Sequence, residues 1–217
     1  MVDIRLYALV DAALGRERLP ALARAAAQGG ATLIQYRDKT GSTRAMIDCA
    51  TAIRVGLEGT GVPLLINDRL DVALASSAAG VHLGREDMEA GLARAILGPD
   101  AIIGLTVKNE ADAAVAGTAP VDYACIGGVF ETLSKHNPDA PVGLDGLRSL
   151  RQLMRSRAPA LPVGAIAGID LTRTPAAIAA GADGIAVISA IFGSPDPQAA
   201  AFSLRAAVDA ALAERRP

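Results

Sequence analysis

The chain has 217 residues, 51% of them hydrophobic and only 3% aromatic, with no tryptophan. That suffices for one large domain or two small ones with a sizeable core, which must be aliphatic and alanine-rich. A formal charge of −2 and a pI near 5.7 exclude the basic excess of a nucleic-acid or anionic-membrane binder.

Cys49 and Cys125 are too few and too far apart for a disulfide framework, and they lack metal-ligand spacing. Both lie in apolar surroundings and read as buried free thiols of a cytoplasmic protein. The opening segment "MVDIRLYALVD" has no apolar run long enough for a signal peptide, and no span reaches membrane length. Arginine supplies nearly all of the positive charge. The lysines are Lys39, Lys108 and Lys135, and each follows a strand-like run closely enough to be a candidate functional group.

Taken in chain order, short apolar runs predict strands over 4–10, 32–37, 63–68, 80–84, 101–107, 123–130, 162–168 and 184–189. Alanine-rich amphipathic stretches such as "LPALARAAAQGG", "STRAMIDCATAIRVGLEG", "MEAGLARAILG", "GLDGLRSLRQLMRSR" and "TPAAIAAGA" lie between them, and "PQAAAFSLRAAVDAALAERR" closes the series. "GRED", "KNEAD" and "DLTRTP" read as helix starts with Asp, Asn or Thr as caps. About eight strand–helix units at even spacing, with no linker between them, mean parallel strands with helical crossovers. The expectation is a single-domain α/β chain over 1–217, a (β/α)8 TIM barrel. The competing open sheet would advertise G-x-G-x-x-G after its first strand, and "LVDAALGRERL" has no such pattern.

In a barrel the site forms where strands end. After the second strand, Gln35, Arg37 and Lys39 are spaced by two and project from one face, with Ile34 and Tyr36 on the other. An amide, a guanidinium and an ammonium together suit a ligand with several anionic oxygens; the alternative is a solvated turn with an Arg–Asp surface pair. Asn67, Asp68 and Arg69 follow strand three, and Glu86, Asp87 and Glu89 follow strand four. Asp68 and Asp87 can share one hard cation such as magnesium, completed by phosphate oxygens, or Asp87 can simply cap a helix. Strand five ends in Thr106 and Lys108.

The longest irregular stretch, "ETLSKHNPDAPVG", follows strand six and carries Thr132, Ser134 and Lys135, suited to gripping phosphate. Near strands seven and eight, Gly168 permits close backbone approach, and Ser189 precedes a short helical turn where barrels commonly hold phosphate. His82 lies within a strand and reads as a satisfied core histidine. Neither histidine has a Ser or Cys partner at the spacing of a catalytic triad.

The ordered set "QYRDK", "LLINDRLDVALASSAAGVHLGRED", "IGLTVKN", "GGVFETLSKHNPDAPVGLDGL", "AIAGI" and "GADGIAVISAIF" resembles the thiamine phosphate synthase family across nearly the whole chain. The resemblance implies a (β/α)8 barrel that joins hydroxymethylpyrimidine diphosphate to hydroxyethylthiazole phosphate with release of diphosphate, through a pyrimidinylmethyl cation. It implies that Gln35, Arg37, Lys39, Asn67, Thr106 and Lys135 bind the pyrimidine diphosphate, with Arg37, Lys39 and Lys135 acting in catalysis. It assigns Asp68 and Asp87 to magnesium, and Thr132, Ser134, Gly168, Ile188 and Ser189 to the thiazole phosphate. The partners it implies are small phosphate and diphosphate substrates. Assembly with further copies of the chain is compatible with the sequence, which does not define the oligomeric state.

The chain departs from the commonest family pattern at Gly128 of "GGVF", at Thr106, at Lys108, at Ser134 and at Ala167, which stands where the first glycine of a pair is usual. Two other readings share the barrel: a thiazole tautomerase that handles only the thiazole phosphate, and a non-catalytic barrel that senses thiamine intermediates.

Overall fold

Eight parallel strands pair in sequence order, β1 with β2 through to β8, and β8 returns to β1 to close a barrel. The computed structural model describes residues 1–132 and 140–215. The strands are β1 (Leu6–Asp11), β2 (Leu33–Arg37), β3 (Leu64–Asn67), β4 (Gly80–Leu83), β5 (Ile102–Val107), β6 (Tyr123–Ile126), β7 (Val163–Ile166) and β8 (Gly184–Val187). The α-helices among the described residues are α1 (Leu19–Gln28), α2 (Thr43–Gly56), α3 (Leu70–Ser76), α4 (Ala90–Leu97), α5 (Glu110–Ala116), α6 (Gly143–Arg157), α7 (Thr174–Ala179), α8 (Ser189–Phe192) and α9 (Pro197–Glu214). Every expected strand is present, so the barrel and its parallel topology stand as read from the sequence.

The period-two alternation of the strands divides the core into two shells. On β2, Ile34 and Tyr36 face outward and pack in a shell with Ala23 and Ala26 of α1 and Ala50 and Ile53 of α2. Leu33 faces inward, in a smaller interior cluster with Tyr7, Leu9, Leu65, Tyr123, Cys125 and Ala186. The many alanines on the inner faces of the helices let them lie close to the barrel. Both cysteines are buried, and neither forms a disulfide. No helix among the described residues is long and apolar enough to cross a membrane.

Three local details differ from the expectation. The strand expected over 123–130 leaves the sheet after Ile126, because the chain then turns across the end of β7: Val129 N–H donates to Ile166 O at 3.2 Å and Phe130 N–H to Ala167 O at 3.1 Å. A short helix, α3, fills the connection after β3, where no helical segment had been singled out. The cap of α4 is Glu89, whose carboxylate accepts from Gly91 and Leu92 N–H, and not an aspartate of "GRED". Asp87 is thereby left for another task.

Candidate active site

The C-terminal ends of the strands enclose a cavity of about 560 Å³. Gln35, Arg37, Asn67, Thr106, Thr132, Gly168, Ile188 and Ser189, eight of the residues expected at a site, line it. Lys39, Asp68 and Asp87 sit together beside it at the ends of β2, β3 and β4. Ser134 and Lys135 lie outside the described residues.

The cationic side is built from charge pairs. Asp11 and Arg37 are direct cross-strand neighbours on β1 and β2, and their side chains form a short ion pair. Asp11 also accepts from Ala13 N–H at 2.9 Å, so it is held from both sides. The Arg37 partner is therefore Asp11 on the neighbouring strand and not the adjacent Asp38. Asp38 anchors the turn between β2 and α2: its side chain is only 1% exposed and meets Arg16 Nη2 at 2.8 Å. It accepts from Tyr36 O–H at 2.9 Å, from Thr40 N–H at 3.0 Å and from Gly41 N–H at 2.8 Å. Burial alone would raise its pKa, but the Arg16 guanidinium and these N–H groups hold the carboxyl well below the usual carboxylate range. Arg37 and Lys39 flank this anchor.

Beyond it, Lys39 reaches Asp68 in another short ion pair. Asp68 has φ +63°, a left-handed conformation in which aspartate is better tolerated than most residues. Its backbone N–H donates to His82 O at 2.9 Å. Asp87 accepts from Gly84 N–H at 2.7 Å, and its carboxyl lies against that of Asp68. Burial and the Asp68 carboxylate together raise the Asp87 pKa. Two adjacent carboxylates, one raised in pKa by burial and by the other, could hold a divalent cation between them. No group of three or more ligating side chains exists among the described residues.

The neutral side lies deeper. Gln35 is 1% exposed, and its Nε2 donates to Tyr7 OH in a short contact. The two phenol oxygens of Tyr7 and Tyr123 are 2.9 Å apart, and His82 spans Tyr123 OH at 2.9 Å and Thr106 Oγ1 at 2.8 Å. His82 is thus satisfied, as its place in a strand suggested, yet it also lines the cavity. Asn67 Nδ2 is buried without a hydrogen-bond partner, an orphan donor in the cavity wall.

On the opposite wall, Ala167 and Gly168 are consecutive left-handed residues, at φ +87° and +63°. A Cβ at Gly168 would meet Glu131 O at 2.3 Å, so the close approach expected there is made by the chain itself. Arg173, not singled out in the sequence, lines this wall: it donates to Gly168 O at 2.7 Å, with its guanidinium carbon 4.9 Å from the centroid of the Phe130 ring. Two tyrosines were also missed. A usable signal existed, because three tyrosines in an aliphatic chain must satisfy their hydroxyls wherever they are buried. Lys108 lines a smaller cavity of about 240 Å³ with Arg85 and Asn109.

Fold and site together define a (β/α)8 barrel whose mouth joins a hydrogen-bonding pocket to a cluster of cations and carboxylates. Residues 6–191 match the profile of the family described as Thiamine monophosphate synthase, and the chain belongs to that family. It is 64% identical over 217 residues to the thiamine-phosphate synthase of Agrobacterium fabrum, covering 100% of this chain and 99% of the relative. It is 45% identical to that of Chloroflexus aurantiacus, with 96% and 94% covered. Among solved structures it is similar to a thiamine phosphate pyrophosphorylase from Pyrococcus furiosus, with TM-score 0.85 and 37% identity over 97% of this chain and 98% of the other.

Proposed function

We propose that this chain is a cytoplasmic, magnesium-dependent transferase that joins hydroxymethylpyrimidine diphosphate to hydroxyethylthiazole phosphate and releases diphosphate. The observation that carries this reading is the continuity of a neutral pocket bearing Gln35, Thr106 and the orphan Asn67 amide with the Arg37 and Lys39–Asp68–Asp87 rim. A pyrimidine ring with a diphosphate one carbon away has these two halves.

In the proposed reaction the bond from the pyrimidinylmethyl carbon to diphosphate breaks first, and the thiazole nitrogen then attacks the cation. The protein needs no nucleophile for this, only charge stabilisation and exclusion of water. Arg37 exchanges Asp11 for phosphate oxygens, and Lys39 turns from Asp68 to the departing diphosphate. Asp68 and Asp87 would hold magnesium, which when bound neutralises developing charge on the diphosphate. Asn67 Nδ2 gains the acceptor it lacks. Thr132, Gly168, Ile188 and Ser189 would hold the thiazole phosphate, and Arg173 adds a cation to that wall. The roles of Ser134 and Lys135 rest on the family resemblance alone.

Incubating the protein with both substrates and magnesium and following thiamine phosphate and diphosphate tests the reading. Equal amounts of the two products are expected. A tautomerase or a sensing barrel would make neither.

A further inference from the structure

Two arginines among the described residues line the cavity, Arg37 and Arg173, and they stand on opposite walls in different company. Arg37 is paired with the Asp11 carboxylate. Arg173 makes no ion pair with a carboxylate among the described residues. Its guanidinium donates from Nη1 to Gly168 O at 2.7 Å, and its central carbon lies 4.9 Å from the centroid of the Phe130 ring. The turn that carries it is also fixed. The Asp170 carboxylate accepts from Arg173 N–H at 2.9 Å, and the Asp170 carbonyl accepts from Thr174 N–H at 3.0 Å and from Thr174 Oγ1 at 2.7 Å.

The sign of the charge on this wall depends on that one side chain. Among the described residues, the other charged groups beside it in the cavity lining are Glu131 and Asp170, both acidic. Two carboxylates alone would repel a phosphate ester. Arg173 offsets one of them, and a guanidinium carries more N–H donors than Gly168 O uses, so donors remain for a ligand oxygen. Braced at one nitrogen by Gly168 O and on one side by the Phe130 face, it loses less freedom when that oxygen arrives. A neutral hydroxyl in the same place would gain far less, because the strong bonds of a guanidinium are those to charged acceptors.

We propose that Arg173 is a specificity-determining residue that selects a thiazole bearing a phosphate ester over the same thiazole with a free alcohol. This rests on the reading above, which puts the thiazole phosphate at this wall. Both thiazoles undergo the same reaction: the carbon–nitrogen bond forms, diphosphate leaves, and the products differ only in the ester. The ester lies outside the bonds that form and break, so Arg173 acts through binding of the second substrate and not through departure of diphosphate.

In the test, both thiazoles compete in one reaction, with the alcohol in excess, limiting pyrimidine diphosphate and saturating magnesium. The ratio of phosphorylated to unphosphorylated product then reads the ratio of the two kcat/KM values. Arg173→Gln removes the charge but keeps an amide donor for Gly168 O, and Arg173→Ala removes both. Each should lower the preference for the phosphate ester at least about tenfold, chiefly by raising KM for thiazole phosphate, while KM for pyrimidine diphosphate stays within about twofold. Arg173→Lys restores the charge and should recover most of the preference. If the alanine variant fails to fold, the glutamine and lysine variants decide. A residue that only braced Gly168 and Phe130 would slow both thiazoles by the same factor. An unchanged product ratio in the folded variants, or a lysine variant no better than the glutamine one, therefore overturns the selectivity role. Wild type that makes neither product would overturn the proposed function and this role with it. Wild-type turnover with a ratio that the variants leave unmoved overturns the role of Arg173 alone.

Discussion

At the floor of the cavity, polar atoms of Tyr7, Gln35, Tyr123, His82 and Thr106 meet as hydroxyl, amide and imidazole groups within hydrogen-bond distance. At the rim, between β1 and β4, polar atoms meet as ion pairs, Asp11 with Arg37 and Lys39 with Asp68. The floor is buried, where an unmade hydrogen bond costs about 1–3 kcal/mol, so its geometry is expensive to disturb. The Lys39 side chain is 54% exposed, and ion pairs this wet contribute about 0–1 kcal/mol. The Lys39–Asp68 pair exchanges a protein partner for a ligand at little cost, whereas Arg37 and Asp11, 21% and 15% exposed, hold each other more firmly. The floor is built to hold one arrangement, and the outer part of the rim is built to change partners.

The contrast breaks most severely when the rim loses a cation. Arg37→Ala and Lys39→Ala should each lower the single-turnover rate by about 10²–10³, the usual loss when a group that stabilises developing charge is removed. Binding of pyrimidine diphosphate, followed by calorimetry, should weaken less than the rate. Equal losses would mean that these cations bind substrate and transition state alike, and their proposed role in leaving-group departure would fall.

The carboxylates of the rim sharpen the comparison. Asp68→Asn and Asp87→Asn should each raise the magnesium concentration for half-maximal turnover by about 10–100-fold. A magnesium titration that both variants leave unmoved would place the ion elsewhere.

The rim was legible in the sequence and the floor was not, for a physical reason. Arg37, Lys39, Asp68 and Asp87 follow apolar strand runs, where a charge has no business in the core and so announces itself. Tyr7, His82 and Tyr123 lie inside strands, where an inward polar residue and a core residue share the same alternation. What joins them is a cross-barrel contact made possible by Gly104, where a Cβ would lie 2.1 Å from Tyr123 Cζ, and pairing between non-adjacent strands leaves no local spacing to read. The eight strands were legible because their alternation with amphipathic segments is local. The departure of the chain from β6 after Ile126 was not, because its cause is hydrogen bonding to β7, about forty residues away.

A smaller effect belongs to the anchor that carries the rim. Asp38→Asn removes a charge that accepts from Arg16, Tyr36, Thr40 and Gly41, and should cost about 2 kcal/mol of stability at pH 7. The folded carboxyl lies well below the unfolded value of about 3.9, so its contribution is complete above that pH and is lost as pH falls toward the folded pKa. Urea unfolding of wild type and variant should therefore differ most near neutrality and converge below about pH 4. A difference that stays constant from pH 7 to 3 would mean that the variant acts through packing, not charge.

The smallest effect is expected at Ala167, although its backbone is the most unusual for its residue type in the cavity wall. At φ +87° an alanine costs about 1–2 kcal/mol that a glycine would not. Ala167→Gly removes that strain but loosens the unfolded chain, which costs about 0.4–1 kcal/mol. It also deletes a methyl group that is buried, at 8% exposure, which costs about 0.8 kcal/mol more. The three contributions nearly cancel, so the unfolding free energy should change by less than about 0.5 kcal/mol in either direction. Stabilisation beyond about 1.5 kcal/mol would show that packing of Phe130 across β7 forces the alanine further from its preferred geometry than its own dihedral implies. The wall would then be a place where the barrel gives up stability to shape its cavity.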